Sequence, residues 1–292
     1  MNFFIYIANL ILIFIILTQS YNLVLGYTGM VHVGHVAFMA IGAYTSAILT
    51  TTFGLPFWSG LIFGVLGAAF AGLILGIPTV RFRDDYLVAA TLGMGEIIRI
   101  ILINERDFTG GSTGITKIAR PEIFGIHFSS DGLLFILLLI ITALVLLFVR
   151  RLTGSPFGKV LEAIREDETA AISLGKNTWR RKLEILVIAA ALAGLSGVLY
   201  AHTTQFIDPE AFNIHRLIFV FLIVVFGGSG TFWGPVVGTI ILYSLFEAMR
   251  YLPLKPSVLG PLRWIIYSSI LIAMIILKPK GIMGEKLLRR KL

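Results

Sequence analysis

Apolar runs of about twenty residues follow one another along most of this chain, and no polar stretch between them is long enough to build a core of its own. The runs fall at 3–23, 33–52, 58–77, 86–103, 132–149, 183–203, 216–226, 234–250 and 262–277. The piece at 216–226 is too short to cross a membrane alone, so it continues backwards or belongs to a broken helix. Lipid offers no partner for an open backbone, so such runs can only be helices. The expected fold is all-α: a polytopic membrane helix bundle of eight to ten transmembrane helices, some short or broken. It forms one transmembrane domain over 1–292, with a polar loop at 150–182 inside it. Composition agrees, with 57% hydrophobic and 14% charged residues and a mean hydropathy of +0.91. Soluble domains carry about a quarter charged residues. There is no cysteine, which excludes a disulfide framework and a thiolate metal site. The opening MNFFIYIANLILIFIILTQS lacks a basic leader and a small-residue cleavage site, so it reads as a retained first helix.

The net charge of +8 is gathered in short loops and the tail, not in a nucleic-acid patch. With nine crossings and the 150–182 loop in the cytoplasm, about two-thirds of the 24 Lys and Arg residues fall on the cytoplasmic side. They include Arg81, Arg83, Arg150, Arg151, the basic cluster around Arg180 and the tail from Lys278 to Lys291. Arg106, Lys117, Arg120, Arg216, Arg250, Lys255 and Arg263 fall outside, and Arg99 lies in a span. The expected arrangement is N-terminus out and C-terminus in.

The loop itself carries SPFGKVLEAIREDETAAISLGKN at 155–177. Phe157, Val160, Leu161, Ile164, Ala171 and Leu174 form an apolar stripe at helical spacing, with Lys159, Glu162, Arg165, Glu166 and Asp167 on the other faces. Ser155 and Pro156 read as a helix start, and Gly175, Lys176 and Asn177 as a stop. One helix of about 27 Å is expected. A lipid-lying helix is one reading, but its polar face would be rich in Lys and Arg. The mixed acids and bases here suit a groove in a protein partner better.

The loop, followed by KLEILVIAAALAGLSGVLYA, resembles the cytoplasmic coupling loop of branched-chain amino acid ABC transporter permeases. YNLVLGYTGMVHVGHVAFMAIGAY at 21–44, RFRDDYLVAATLGMGEIIRIIL with FTGGSTGI at 81–115, and VFGGSGTFWGPVVGT at 225–239 resemble further blocks of that family, and of its M-type subunit in particular. The resemblance implies a second permease subunit of a different chain, two cytoplasmic ATP-binding subunits and an external substrate-binding protein. It implies the bacterial plasma (inner) membrane, with ATP hydrolysis on other chains and no cofactor, metal or catalytic residue here. The positions matching the coupling motif are Ser155, Pro156, Phe157, Gly158, Arg165, Glu166, Asp167, Ala170, Ala171 and Gly175. The wider importer signature E-A-A-x3-G is shifted here, since Glu168 stands one position early.

Other features admit two readings each. The glycines of 26–42 and of 227–234 allow close helix packing, or they line the substrate path. The spacing of Gly26, Gly29 and Gly34 echoes that of Gly227, Gly230 and Gly234. Candidate path residues are His35, Glu96, Arg99, Gly227, Gly228 and Gly230. His32 and His35 otherwise serve packing, and no acid or cysteine accompanies them as a metal ligand. Glu96 and Arg99 share a helix face and would each cost about 2.5–3.5 kcal/mol at a bilayer centre, so they pair with each other or border water. SLGKN is no phosphate loop, because Ala170 stands where the first glycine belongs and Asn177 replaces Ser or Thr. The expected activity is import of branched-chain or other aliphatic amino acids. Alternatives are import of urea, short amides or another small polar solute, and, in a different class, ion-coupled secondary transport through Glu96 and the histidines.

Overall fold

The computed structural model describes residues 3–82, 84–123, 126–128, 130–249, 256–278 and 281–284. Arg83, Arg250, Lys255, Lys280 and the basic tail from residue 285 lie outside the described residues. The helices are α1 (Phe3–Thr28), α2 (His35–Thr51), α3 (Phe57–Thr79), α4 (Asp84–Asn104), α5 (Arg106–Thr109), α6 (Asp131–Gly154), α7 (Pro156–Glu166), α8 (Glu168–Ser173), α9 (Thr178–Thr204), α10 (Ile214–Gly227), α11 (Gly234–Ala248) and α12 (Pro256–Leu277). Two short antiparallel ladders complete the fold, β1 (Ile115–Thr116) with β4 (Phe206–Ile207) and β2 (Glu122–Ile123) with β3 (Ile126–His127). Every apolar run read from the sequence coincides with a helix. Among the described residues six helical stretches are long and apolar enough to cross a membrane, and the shorter apolar helices are His35–Thr51, Gly234–Ala248 and Gly260–Met274. The ambiguous 216–226 piece extends backwards to Ile214, after a 3-10 turn at Pro209–Phe212, and then breaks after Gly227. α10 and α11 thus form a hairpin of two short helices, each about 21–23 Å long.

Two helices hold the core. α1 is buried on all sides from Ile13 to Val24, and α9 packs against α1, α2 and α3. Lipid tails are as apolar as leucine, so helices in a membrane associate through close backbone approach and interhelical hydrogen bonds. α3 carries Gly60, Gly64, Ala68, Gly72 and Gly76 at every fourth position, on one face. A Cβ on Gly64 would stand 2.9 Å from the Gly42 carbonyl oxygen, and one on Gly72 2.5 Å from the Ala190 Cβ. Cβ atoms on Gly42 and Gly197 would overlap the backbones of Gly194 and Met39. The outward face of α3 exposes Ile62, Phe63, Leu66 and Phe70, which suits contact with lipid.

The two ends of the bundle are distinct. Asn9 near the start of α1 donates to the Asp131 carbonyl at the start of α6 (3.3 Å). The other end gathers α7, α8 and the tip of the α10–α11 hairpin. Residues beyond α12 return there, with Ile282 N to Phe226 O and Met283 N to Gly227 O both 3.0 Å. Arg81, Arg150, Arg151, Lys159 and the Lys176–Lys182 cluster sit at this end too.

Gly197→Ala is expected to lower the thermal midpoint in detergent, by about 1–3 kcal/mol of overpacking, because the opposing Met39 carbonyl is backbone and cannot rotate away. Gly93→Ala, with nothing within 4 Å of the added carbon, is expected to leave it unchanged or raised. Equal midpoints for the two variants would contradict the close α2–α9 contact.

Candidate functional site

The loop between α6 and α9 is built from local signals. Ser155 is extended (φ −81°, ψ 169°) and Pro156 opens α7, as a helix start requires. The Ser155 hydroxyl does not cap α7, however; it donates back to the Leu152 carbonyl at 2.7 Å. The single helix expected over 155–175 is broken at Asp167 (φ −159°, ψ 105°). The Asp167 carboxylate accepts from the Ala170 N–H at 2.9 Å and so caps a second helix, α8. A short-branched acid is a strong helix initiator, and here that preference wins over the continuing apolar stripe. The stop falls where expected. Gly175 adopts φ 74°, its N–H reaches the Ile172 carbonyl at 2.8 Å, and Lys176 N reaches Ala171 O at 3.1 Å. Asn177 then caps α9 through Arg180 N at 3.0 Å.

The break divides the ten motif positions. Gly158 and Ala171 are buried, with Leu161 and Ile164, and anchor the loop to the bundle. A Cβ on Gly158 would collide with the Thr153 backbone, so this glycine serves the α6–α7 corner and not an outward surface. Ser155 and Phe157 are half-buried, and the Arg181 guanidinium lies 5.3 Å over the Phe157 ring. Pro156, Glu166, Asp167, Ala170 and Gly175 face outward. So do Ile172 and Leu174, 52% and 76% exposed at the polar end of a membrane protein. Leu174, part of the apolar stripe read from the sequence, stands exposed after the bend at Asp167. Glu168 binds Lys182 at 2.6 Å and ties α8 to α9.

Arg165 is exposed along its stem, and its guanidinium reaches the bundle. Its Nη1 donates to the Gly26 carbonyl at 2.5 Å, at the end of α1. The same guanidinium lies against Gly230, where any side chain would displace it. Gly26 and Gly230 themselves touch, since a Cβ on Gly26 would overlap the Gly230 nitrogen. The two glycine blocks with echoing spacing therefore meet in space. Side chains from one face of α1 hold the hairpin to this point. Asn22 accepts from Gly230 N (2.9 Å) and donates to Thr231 O (3.0 Å). Gln19 donates to Phe232 O (2.6 Å), and Thr18 bonds Thr239 (2.9 Å). Gly228 (φ 118°) and Gly230 (φ 76°) adopt backbone angles that other residues rarely take.

The candidate path residues occupy three places. Gly227, Gly228 and Gly230 form the hairpin tip just described. His35 is fully buried, bonds Ser20 at 2.9 Å and packs on Tyr21 and Phe38, so it is held in the core. Glu96 and Arg99 do pair, at 2.8 Å and 2.5 Å, and Arg99 also binds Glu210 at 2.8 Å, near the opposite end of the bundle. Glu96 borders a cavity between α2, α4 and α10 that Gly34, Gly95 and Asn213 also line. Among the described residues no cluster of three or more His, Cys, Asp or Glu could hold a metal.

Residues 3–277 match a family described as "Branched-chain amino acid transport system / permease component". The chain belongs to this family. The permease is 38% identical over 300 residues to the high-affinity branched-chain amino acid transport system permease protein LivM of Escherichia coli K12, covering 95% of this chain and 69% of that one. It is 26% identical over 289 residues to LivH of the same kind of system in Salmonella typhimurium, covering 91% and 89%. It is 26% identical over 259 residues to the guanosine ABC transporter permease protein NupQ of Bacillus subtilis, covering 80% of each. No solved structure matches the permease.

Sequence reasoning missed Gln19, Asn22 and the exposed Ile172. The signal for the first two was present, as amides one turn apart in the polar run Thr18–Asn22 that interrupts an otherwise apolar helix. Arg99→Leu is expected to destabilise the permease more than Glu96→Leu. The first removes both ion pairs and leaves Glu96 in an apolar span without its cation, whereas the second leaves Arg99 on Glu210. Melting of the two variants in detergent checks this, and the reverse order would contradict the three-residue network.

Proposed function

We propose that this permease carries branched-chain aliphatic amino acids across the bacterial inner membrane as one of two different permease chains in an ATP-driven importer. Two ATP-binding subunits engage it from the cytoplasm, an external binding protein delivers the substrate, and ATP is hydrolysed on the partner chains alone. In this arrangement α7, α8 and the C-terminus face the cytoplasm, and the lipid-facing helices span the membrane. The observation that carries the reading is the 38% identity to a branched-chain amino acid permease over 95% of the chain, against 26% to a guanosine permease. The similarity to LivH as well as LivM supports a pairing of unlike permeases.

The mechanism asks no covalent chemistry of this chain. The outward face of α8, with Ala170, Ile172, Leu174 and Gly175, offers small residues for close approach and two apolar anchors for a cleft on the ATP-binding subunit. The break at Asp167 makes α8 a foot and α7 a short lever. Arg165 passes the lever's motion to Gly26 and the hairpin tip, because its guanidinium touches both. ATP binding then shifts the bundle between two accesses by the difference in partner contacts that each state offers.

Leu174→Glu is expected to abolish co-purification of the ATP-binding subunits while the permease still inserts. Arg165→Gln is expected to keep the complex together yet lower L-leucine uptake per ATP hydrolysed several-fold in proteoliposomes, because a neutral amide no longer binds both Gly26 and the tip. Uptake of guanosine but not L-leucine by the wild-type complex would overturn the substrate. Wild-type coupling in the Arg165 variant would overturn the lever.

A further inference from the structure

Far from the coupling loop, a cavity of about 540 Å³ opens between α1, α10, α11 and α12. Its apolar wall is aromatic: Phe14, Phe219, Tyr243, Phe246, Trp264 and Tyr267. The rings interlock, with Phe246 edge-on to Tyr267 at 3.9 Å and Trp264 edge-on to Tyr267 at 5.0 Å, so the wall is a formed surface and not a loose gap. Its size falls in the range of small-molecule sites, about 300–1,000 Å³.

Among the described residues Arg216 is the cation that reaches into this wall. Arg216 sits in the first turn of α10, between the rings of Phe14 (5.4 Å) and Tyr200 (4.9 Å). Its Nη2 reaches the Tyr200 hydroxyl at 3.4 Å. Its Nη1 is buried and has no hydrogen-bond partner among the described residues. A buried guanidinium N–H without an acceptor is costly, and native proteins almost always supply one. Glu210, in the same lining, binds Arg99 at 2.8 Å.

The cavity therefore joins an open guanidinium N–H and a ring-lined space. We propose that it is a binding site for a free aliphatic α-amino acid, with the carboxylate on Arg216 Nη1 and the side chain against the rings. The shared chemistry is an anion on an aliphatic stem, which an acyl lipid also offers; the importer reading favours the amino acid. The site stands at the end of the bundle opposite the coupling loop, where an incoming solute would first meet the helices. The substrate class rests on the importer reading above; the site rests on the geometry of Arg216.

The test uses the complete transporter in lipid nanodiscs without its external binding protein. Saturation-transfer NMR of millimolar L-leucine reports weak contact directly. The expected result is saturation of the leucine methyl protons, displaced by L-valine, reduced about tenfold in Arg216→Gln and partly restored in Arg216→Lys. Phe246→Ala, which keeps the guanidinium, is expected to weaken the same signal. Equal signals in wild type, Arg216→Gln and Phe246→Ala would overturn the site, as would no signal in the wild type. Displacement by decanoate but not by L-valine would identify a lipid seat and overturn the amino-acid assignment. Uptake with the binding protein restored is measured alongside. Normal L-leucine uptake without a site signal defeats this inference alone, whereas absence of L-leucine uptake defeats the importer reading and this inference with it.

Discussion

The contact of Gly26 with Gly230 is the point on which the rest of the architecture depends. Two backbones from distant parts of the chain touch there because neither carries a side chain. Asn22 closes the approach from within α1 with two hydrogen bonds to the hairpin backbone, and Arg165 closes it from the loop. In lipid the hydrophobic effect gives helices no reason to prefer one another, so such polar and close-packed contacts carry the specificity of assembly. The same principle recurs along α3, whose small residues admit α2 and α9, but there it only holds helices together. At Gly26 it also joins the loop of α7 and α8 to a hairpin.

That hairpin is unusual for its length. Two helices of 14 and 15 residues are shorter than a bilayer core demands. The backbone between them is irregular, with Gly228 and Gly230 in left-handed or extended positive-φ conformations. Irregular backbone survives at membrane depth only where protein covers it or it lines a water-filled cavity. Here α1 covers it, through Gln19 and Asn22 to the carbonyls of Phe232 and Thr231. The segment after α12 covers it from the other side, through the carbonyls of Phe226 and Gly227. A shift of Arg165 would therefore act on a segment tied to α1, α10, α11 and residues 282–283 at once.

The helices were legible because the bilayer sets their length, and each apolar run of the sequence holds a helix. Ser155, Pro156, Gly175 and Asn177 marked the loop's ends correctly, since starts and stops are local chemistry. The break at Asp167 was also local, but a continuing stripe through Ala171 and Leu174 argued for one helix. The cap won, and Leu174 turned outward as a result. What lay beyond the sequence was direction and distance. Nothing near Arg165 says that it reaches back to Gly26, and nothing near Asn22 points to a partner 208 residues away. Gly158 illustrates the same limit: its place in the motif suggested an outward surface, and the Thr153 backbone beside it makes it a corner. The echo between the two glycine blocks was visible, but not that the blocks would be found against each other.

The central claim is that α8, Arg165 and the hairpin tip move as one body when nucleotide binds. The chain has no cysteine, so labelled pairs can be introduced without background. Pulsed electron paramagnetic resonance on the assembled transporter would compare a Thr169–Trp233 pair, joining α8 to the tip, with a Phe63–Trp233 pair, joining the tip to the lipid face of α3. Between nucleotide-free and ATP-trapped states, the account predicts an unchanged first distance and a changed second one. A first distance that changes while the second stays fixed would contradict it.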